Sequence, residues 1–229
     1  MATFSGFPTG TVTFFQELAA HNERSWFEAN KARYQADVLE PARAFVEALG
    51  ERLLAVAPGI IADGRMNQSL FRIYRDTRFS KDKTPYKTNL GLWLWEGARP
   101  RMECSGFYFH LEPSSLMLGV GMYEFSKPLL LAYRAAVDDA GEELAEIAAR
   151  IEAAGARLGG QTFARVPQGF AKDHPHAALL RHGGLYAAVE QAVPAELHSP
   201  ALVDWCFERY ERLAPLHRWL NGMLARAEP

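Results

Sequence analysis

The sequence predicts an α+β fold, in which an antiparallel sheet of about four or more strands is flanked by helices from the N- and C-terminal parts of the chain. Apolar residues recur at helical spacing in the first and last thirds of the 229 residues. The middle third instead has short aromatic and aliphatic runs, some of which alternate with polar residues as half-buried strands do. Neither an internal repeat nor a linker divides the chain, so we expect a single α+β domain over residues 1–229.

Helix starts are marked by residues that cap helices or fit their first turn. Thr11 and Asn22 can cap two helices, Pro41 fits the start of a third, and Ser126 and Ser199 precede helices in the C-terminal part. We expect a kink in the last helix at a proline, residue 215, because proline removes a backbone hydrogen bond.

An apolar stripe in the second helix predicts which of its residues are buried. Trp26, Phe27 and Tyr34 recur at helical spacing, and Asn30 lies in the same stripe. A polar group in such a place needs a partner, so we expect Asn30 to hydrogen-bond to the backbone.

Strands are predicted where the period of the apolar residues changes. The predicted ranges are 70–74, 90–95, 107–112 and 116–122, with one further short strand over 162–166. Pro113 lies in the turn between two of them, and short connections of this kind imply antiparallel pairing.

Cysteine content and apolar run length indicate the compartment. Cys104 and Cys206 are far apart, which excludes a disulfide framework and a cysteine zinc site and suits a reducing compartment. The N-terminal residues lack the pattern of a signal peptide, and no run of about 18 apolar residues could span a membrane. We therefore expect a cytoplasmic protein with no membrane partner; the sequence leaves its oligomeric state open.

Residues 72–89, which we call the basic segment, carry the most distinctive chemistry of the sequence. Six lysines and arginines against two aspartates give it a formal charge of +4, so the net charge of −2 leaves −6 for the rest of the chain. A local positive charge on an acidic chain suits a small anionic ligand better than a long polyanion. Arginine and lysine both bind phosphate or carboxylate oxygens. The residues that we expect to contact a small anionic ligand are Arg72, Tyr74, Arg75, Arg78, Lys81, Lys83, Tyr86, Lys87 and Asn89.

Two aspartates of the basic segment leave alternatives open. Asp76 and Asp82 could orient the arginines, bind a metal ion or act as catalytic acid–base groups. They could instead pair with neighbouring arginines, in which case the segment is structural or contacts an acidic protein. Nucleic acid is another candidate partner, because aromatic residues in the segment could stack on bases. The −6 on the rest of the chain argues against a long polyanion.

Strand parity predicts a polar surface beside the basic segment. If Phe71 and Ile73 face the core, then Arg72 and Tyr74 face the opposite side. The residues of the neighbouring strands that share this outward parity are Tyr108, His110, Gly119 and Gly121. We expect a polar floor under the basic segment, with room above the glycines.

His110 is the third candidate for acid–base catalysis, because histidine exchanges protons near neutral pH. A histidine that only forms hydrogen bonds within the sheet is the alternative. His174 and His176 flank a proline in a loop, which is a poor arrangement for a metal, so we predict neither a metal site nor a cofactor. The sequence has no GxxxxGKS or GxxxxGKT loop, no GxGxxG, no GxSxG and no HExxH motif. These absences argue against the common nucleotide hydrolases, dehydrogenases, serine hydrolases and zinc proteases.

Four stretches of the sequence resemble one protein family. They are RIYRDTRFSKDKTPYKTN at residues 72–89, NERSWFEANK at 22–31, GFYFHL at 106–111 and VPQGFAKDHP at 166–175. They resemble the conserved hypothetical proteins known as domain of unknown function 2461, and the resemblance extends over nearly the whole chain. One departure is His21, where the family pattern has an asparagine. The resemblance implies membership of the family and implies no particular activity.

Overall fold

The structure is a computed structural model that describes residues 3–161 and 163–227. The helices are α1 (Thr9–Ala20), α2 (Arg24–Ala29), α3 (Lys31–Arg33), α4 (Glu40–Leu53), α5 (Lys127–Ala153), α6 (Ala177–Leu180) and α7 (Leu202–Arg226), with a π-helical turn over Tyr34–Leu39. The strands are β1 (Ile60–Ile61), β2 (Leu90–Glu96), β3 (Ser105–Leu111), β4 (Ser115–Met122), β5 (Arg157–Gln161) and β6 (His182–Ala192). None of the helices in the described ranges is long and apolar enough to cross a membrane.

The six strands form one sheet in the order β1-β2-β3-β4-β6-β5, and every neighbouring pair is antiparallel. The predicted antiparallel sheet, flanked by helices from both ends of the chain, is therefore confirmed. The predicted strands 90–95, 107–112 and 116–122 correspond to β2, β3 and β4.

One face of the sheet packs against the helices and forms the main core. Leu92, Phe109, Leu118 and Val189 lie side by side across β2, β3, β4 and β6 on this face. α7 packs on β3 and β4, and α4 and α5 pack on α7. α7 continues through Pro215, so the structure records this helix as one element.

The predicted burial in the N-terminal helices is confirmed, but the predicted caps Thr11 and Asn22 are wrong, because α1 follows Pro8 and α2 follows Glu23. Phe27 and Tyr34 are buried, Trp26 is half-buried, and all three pack against Phe14. The Asn30 side chain donates a hydrogen bond to the Trp26 carbonyl at 2.9 Å, as expected. Asn30 therefore has a structural role in this helix.

The predicted strand over 70–74 is wrong. Leu70 and Tyr74 form only isolated bridges, with Leu92 and Tyr86, because the chain leaves the edge of β2 and turns into the basic segment. The predicted strand over 162–166 is also absent for 163–166, and its first residue, Thr162, lies outside the described residues.

The opposite face of the sheet, which we call the second face, carries a separate and smaller apolar cluster. Trp93, Trp95 and Cys104 are buried there, with Phe71 and Tyr108 packed against them. None of these five residues belongs to an α-helix: Trp93, Trp95 and Tyr108 lie on strands, and Phe71 and Cys104 lie in connecting segments. The parity argument above assumed that Phe71 faces the main core, and this assumption does not hold.

Candidate functional site

A cavity of about 290 Å³ lies on the second face. Strand pairing explains its position: Trp93, Tyr108, Gly119 and Ala188 are aligned across four strands, and side chains alternate between the two faces. The residues around the cavity are Phe71, Trp93, Met102, Tyr108, Met117, Gly119, Val120, Gly121, Tyr123 and Tyr186. Most are aromatic or apolar, so the polar floor expected here is instead an apolar cavity with a few polar groups.

Of the two glycines that were expected to leave room, only Gly119 can accept a side chain without a clash. A Cβ atom placed on Gly119 would meet its nearest neighbour at 3.6 Å, which is ordinary van der Waals contact, and Gly119 is one of the residues around the cavity. Gly121 has a φ of +135°, and a Cβ atom there would lie 2.3 Å from the Leu185 carbonyl oxygen. Gly121 therefore maintains close backbone packing, whereas Gly119 borders open space.

Two cationic side chains lie beside the aromatic wall of the cavity. The Lys87 ammonium is 5.5 Å from the centre of the Phe71 ring, and the Arg101 guanidinium is 4.9 Å from it. Contacts of this kind between cations and rings are favourable but modest. Phe71 thus lies against both cations and also lines the cavity, whereas the two cations themselves are not among the residues around it.

Arg72 completes a cluster of three cations with Lys87 and Arg101. Burial, and after it the charges of Arg72 and Arg101, lower the pKa of Lys87 from its ordinary value. Burial also lowers the pKa of Arg101. Within the described part of the chain none of the three forms an ion pair with a carboxylate. An anion placed among them would therefore reduce their mutual repulsion.

Arg101 is held in place by backbone contacts rather than by acids. The Trp93 indole N–H donates to the Arg101 carbonyl at 3.0 Å, and the Arg101 guanidinium donates to the carbonyl of Gln68. Sequence reasoning missed Arg101, because it is distant from the basic segment along the chain and no strand pattern includes it.

The tip of the basic segment is internally paired. The Arg78 guanidinium forms two hydrogen bonds with Asp76, at 2.7 and 3.0 Å, and Arg75 contacts Asp82 at 2.5 Å. The hydrogen bond from Arg78 lowers the pKa of Asp76 to about 2. The hydrogen bond from Arg75, followed by those from Thr84, lowers the pKa of Asp82 to about 2. The structure thus places both aspartates in ion pairs outside the cavity, which matches the alternative of pairing with neighbouring arginines.

The remaining lysines of the tip are solvent-exposed. The Lys83 ammonium donates to the Thr77 carbonyl at 2.8 Å, and Lys81 is exposed. Phe79 is 96% exposed, which is unusual for a large apolar side chain. Neither lysine lies among the residues around the cavity.

His110 lies on the second face and forms hydrogen bonds on both sides of its ring. Nδ1 is 2.9 Å from the Tyr108 hydroxyl and 3.4 Å from the Asn89 amide nitrogen. Nε2 is 3.1 Å from the Glu112 carboxylate. The structure therefore brings two residues from the sequence prediction, Asn89 and His110, together beside Tyr108, and Tyr108 is the one of the three that lines the cavity.

A buried polar cluster lies away from the cavity, between the sheet and α7. The Ser105 hydroxyl is 2.9 Å from Nδ1 of His217, and Nε2 of His217 is 2.8 Å from the Glu96 carboxylate. The sequence of contacts from serine through histidine to carboxylate resembles a catalytic arrangement of nucleophile, base and acid. Both Ser105 and His217 are 0% exposed, so no substrate reaches the hydroxyl and the cluster is structural.

Metal-binding side chains are not grouped in the described ranges. No set of three or more histidine, cysteine or acidic residues there is placed to hold a metal ion. Instead, His174 lies 3.0 Å from Asp138 and His176 lies 3.8 Å from Glu142.

Comparison with known families places the chain in a described family. The model of the family described as "Conserved hypothetical protein (DUF2461)" matches residues 10–219. The chain belongs to this family. A comparison with curated proteins finds no match.

Two of the stretches that resemble the DUF2461 pattern hold each other in place. The Asn22 side chain donates to the Tyr86 carbonyl at 2.9 Å and accepts from the Tyr86 amide at 3.0 Å. The Phe27 ring stacks on Tyr86 at 4.4 Å and also contacts Tyr74. Tyr74 and Tyr86 therefore attach the basic segment to the N-terminal helices and do not line the cavity.

Proposed function

We propose that this member of the DUF2461 family binds a small organic anion in the cavity on the second face. The observation that carries the proposal is the cluster of Arg72, Lys87 and Arg101, unpaired with acids among the described residues. Two of these cations, Lys87 and Arg101, lie against the Phe71 ring that lines the cavity. Binding cavities are commonly apolar with a few polar groups that orient the ligand.

Charge supports an anion over a neutral ligand. Lys87 already has a lowered pKa because of its burial and its cationic neighbours, so its charged form is stabilised by any anion that arrives. Arginine also offers a planar fork that matches a carboxylate or phosphate. The −6 on the residues outside the basic segment disfavours anion binding elsewhere, and two of the three cations, Arg72 and Lys87, belong to the segment.

Shape supports a small molecule with a flat apolar body. The cavity of about 290 Å³ is at the small end of known ligand sites. Phe71, Trp93 and Tyr186 provide aromatic surfaces on which a flat group can pack. The expected ligand class is therefore an aromatic or heteroaromatic carboxylate or phosphate ester.

Single-stranded nucleic acid is the second candidate, and one observation favours it. Phe79 is almost fully exposed beside Arg78 and near Lys81, an arrangement that suits stacking on a base next to a phosphate. The acidic remainder of the chain disfavours a long polyanion, so the small organic anion is preferred.

Calorimetric titration and thermal shift with four probes test the proposal. The probes are benzoate, phenyl phosphate, inorganic phosphate and a short oligothymidylate. We expect phenyl phosphate to bind more tightly than inorganic phosphate, because only the former fills the apolar space, and to raise the melting temperature.

Variants locate the binding. Lys87→Gln and Arg101→Gln should each weaken phenyl phosphate binding about tenfold, since each removes a charge-assisted hydrogen bond. Gly119→Leu should block binding by filling the cavity. Lys81→Gln is the matched control, because it removes the same charge from the exposed tip, and it should bind normally. Equal loss in Lys81→Gln, or binding only by the oligothymidylate, would contradict the proposal.

A further inference from the structure

Tyr108, His110 and Glu112 form a chain of hydrogen bonds that leads from the cavity to solvent. The Tyr108 hydroxyl is 2.9 Å from Nδ1 of His110, and Nε2 of His110 is 3.1 Å from the Glu112 carboxylate. The three residues are spaced two apart on β3 and its end, so they share the second face.

The direction of the protons follows from the partners of His110. An amide nitrogen can only donate, so Asn89 requires a lone pair on Nδ1. A carboxylate accepts, so Glu112 requires the proton on Nε2. The Tyr108 hydroxyl therefore also donates to Nδ1, at 2.9 Å against 3.4 Å for Asn89, so the two donors share its one lone pair. The Tyr108 oxygen retains lone pairs that can accept a proton.

Exposure increases along this chain of hydrogen bonds. Tyr108 lines the cavity, where burial, more than the charge of Glu112, raises its pKa to about 12. The side chain of His110 is 22% exposed and that of Glu112 is 51% exposed. A proton that leaves the cavity can therefore reach water through His110 and Glu112, without a tyrosinate in the apolar space.

Gly91 leaves room for the Tyr108 hydroxyl. A Cβ atom on Gly91 would lie 3.0 Å from that hydroxyl oxygen and 3.3 Å from the Phe71 ring. Any other residue would crowd the hydroxyl, which stands between the aromatic wall and His110.

We propose that Tyr108 is a catalytic residue that accepts a proton from a bound organic anion and passes its own proton to His110. An acidic O–H or C–H bond of the bound molecule breaks, and its proton bonds to the Tyr108 oxygen. The Tyr108 proton moves to Nδ1 of His110, while the electron pair stays on the bound molecule as negative charge. Tyr108 ends neutral, and His110 ends as an imidazolium beside Glu112. The reverse transfer returns the proton.

The cations beside the cavity suit this step. Lys87 and Arg101 lie close to Phe71, and Phe71 packs edge-on against Tyr108 with ring centres 6.0 Å apart. Positive charge placed where negative charge develops stabilises the product of proton abstraction. The inference rests on the proposed function, since it needs an organic anion bound in the same cavity.

The probe for the test is 4-hydroxy-3-nitrobenzoate, whose phenolate absorbs visible light and whose carboxylate can bind the cations. Its binding is measured by calorimetry, and its phenol–phenolate transition is followed by absorbance against pH. In the wild-type protein the midpoint of the bound probe should lie about 1 pH unit or more below that of the free probe, a tenfold shift in the equilibrium.

Three variants separate proton transfer from simple hydrogen bonding. Tyr108→Phe should bind the probe and lose the shift. His110→Phe keeps the Tyr108 hydroxyl but removes the proton acceptor, and it should also lose the shift. Glu112 is a positioning residue, so Glu112→Gln should give a smaller shift. Tyr74→Phe, which removes a hydroxyl outside the cavity, should behave as wild type; unchanged melting temperatures exclude general unfolding.

The outcomes distinguish the two proposals. A wild-type protein that does not bind the probe contradicts the proposed function, and the proton transfer falls with it. Binding without a shift overturns the proton transfer alone. A shift that survives in His110→Phe or Tyr108→Phe would mean that the cations stabilise the phenolate unaided, which also overturns it.

Discussion

Neighbouring glycines on the second face are present for different physical reasons. A Cβ atom added to Gly119 would have no neighbour closer than 3.6 Å, whereas Gly121 combines a φ of +135° with a backbone oxygen 2.3 Å from the corresponding position. Residues other than glycine adopt such positive φ values only with strain. Gly119 can therefore accept a side chain, whereas Gly121 is required for close backbone packing.

We predict opposite effects of alanine at these two glycines. Gly119→Ala should leave the free energy of unfolding unchanged or slightly raised, because alanine loses less entropy than glycine on folding. Gly121→Ala should lower it by about 1–3 kcal/mol or more through backbone strain. Urea denaturation measures both, and equal effects at the two positions would refute the distinction.

Arg75 and Asp82 illustrate a pair that contributes little to stability. Their side chains are 29% and 56% exposed, so solvent screens the interaction. We predict that the melting temperature of Arg75→Ala stays close to that of wild type, and that binding of phenyl phosphate is retained. A large loss of stability would show that the tip of the basic segment holds the fold together.

Some residues of the candidate site were predictable from sequence and others were not. Lys87, Asn89 and His110 were found because they lie in a charged run or at a strand position of outward parity. Arg101 was missed because a connecting turn, not a pattern, brings it beside Phe71. Phe71 was misplaced because its segment bridges the sheet at only isolated points, so strand parity does not apply to it.

At the scale of elements, α7 is connected to the sheet by a buried histidine. His217 bonds to Ser105 on β3 and to Glu96 on β2, and Asn221 also donates to Glu96 at 2.7 Å. Burial, opposed in part by the hydrogen bond to Glu96, lowers the pKa of His217. The folded protein therefore favours the neutral imidazole.

This histidine predicts how stability depends on pH. An unfolded histidine titrates near pH 6.5, so below that pH the unfolded chain binds a proton that folded His217 takes up only at lower pH. The contribution of neutral His217 to the free energy of unfolding is complete above about pH 6.5 and decreases as the pH falls below that value. The free energy of unfolding between about pH 5 and pH 7 should vary less in His217→Gln than in wild type. An identical slope would contradict this role.

Asn22 connects another pair of elements, the basic segment and α2. Its side chain makes two hydrogen bonds with the backbone of Tyr86, as a neighbouring strand would. Asn22→Ala should lower the free energy of unfolding by about 1–3 kcal/mol, because two backbone groups lose partners. Hydrogen exchange at Tyr86 should become faster, while exchange in β3 should change only with global stability. Unchanged exchange at Tyr86 would contradict this account.

The elements that the sequence predicted are those with strong side-chain alternation. β2, β3 and β4 place large apolar residues on the core face at every second position, so their period is visible. β6 reads HGGLYAAVEQA, in which small residues weaken the alternation, and it was not predicted. Pairing with β4 and β5 on both sides stabilises it instead, and such pairing cannot be read from one strand alone.

At the scale of the whole molecule, one continuous apolar cluster joins residues from both ends of the chain. It includes Phe4 and Phe7 near the N-terminus, Phe109 in the middle of the sheet and Leu224 in α7. Phe7 and Phe45 both pack on Phe109, which links the N-terminal part directly to the sheet. If one part of this cluster unfolds, it exposes apolar surface on the parts that remain folded. This exposure costs free energy, and no separate core offsets the cost.

The shared cluster predicts that residues 1–229 unfold as a single domain. We expect one thermal transition whose calorimetric enthalpy equals its van't Hoff enthalpy. Tryptophan fluorescence supplies a local probe, because Trp93 and Trp95 report on the second face whereas Trp219 reports on α7. A variant that retains only Trp93 and Trp95 and a variant that retains only Trp219 should show coincident melting curves. Earlier melting of the second face would mean that the small cluster is an independent unit, and two calorimetric transitions would contradict the prediction of one domain.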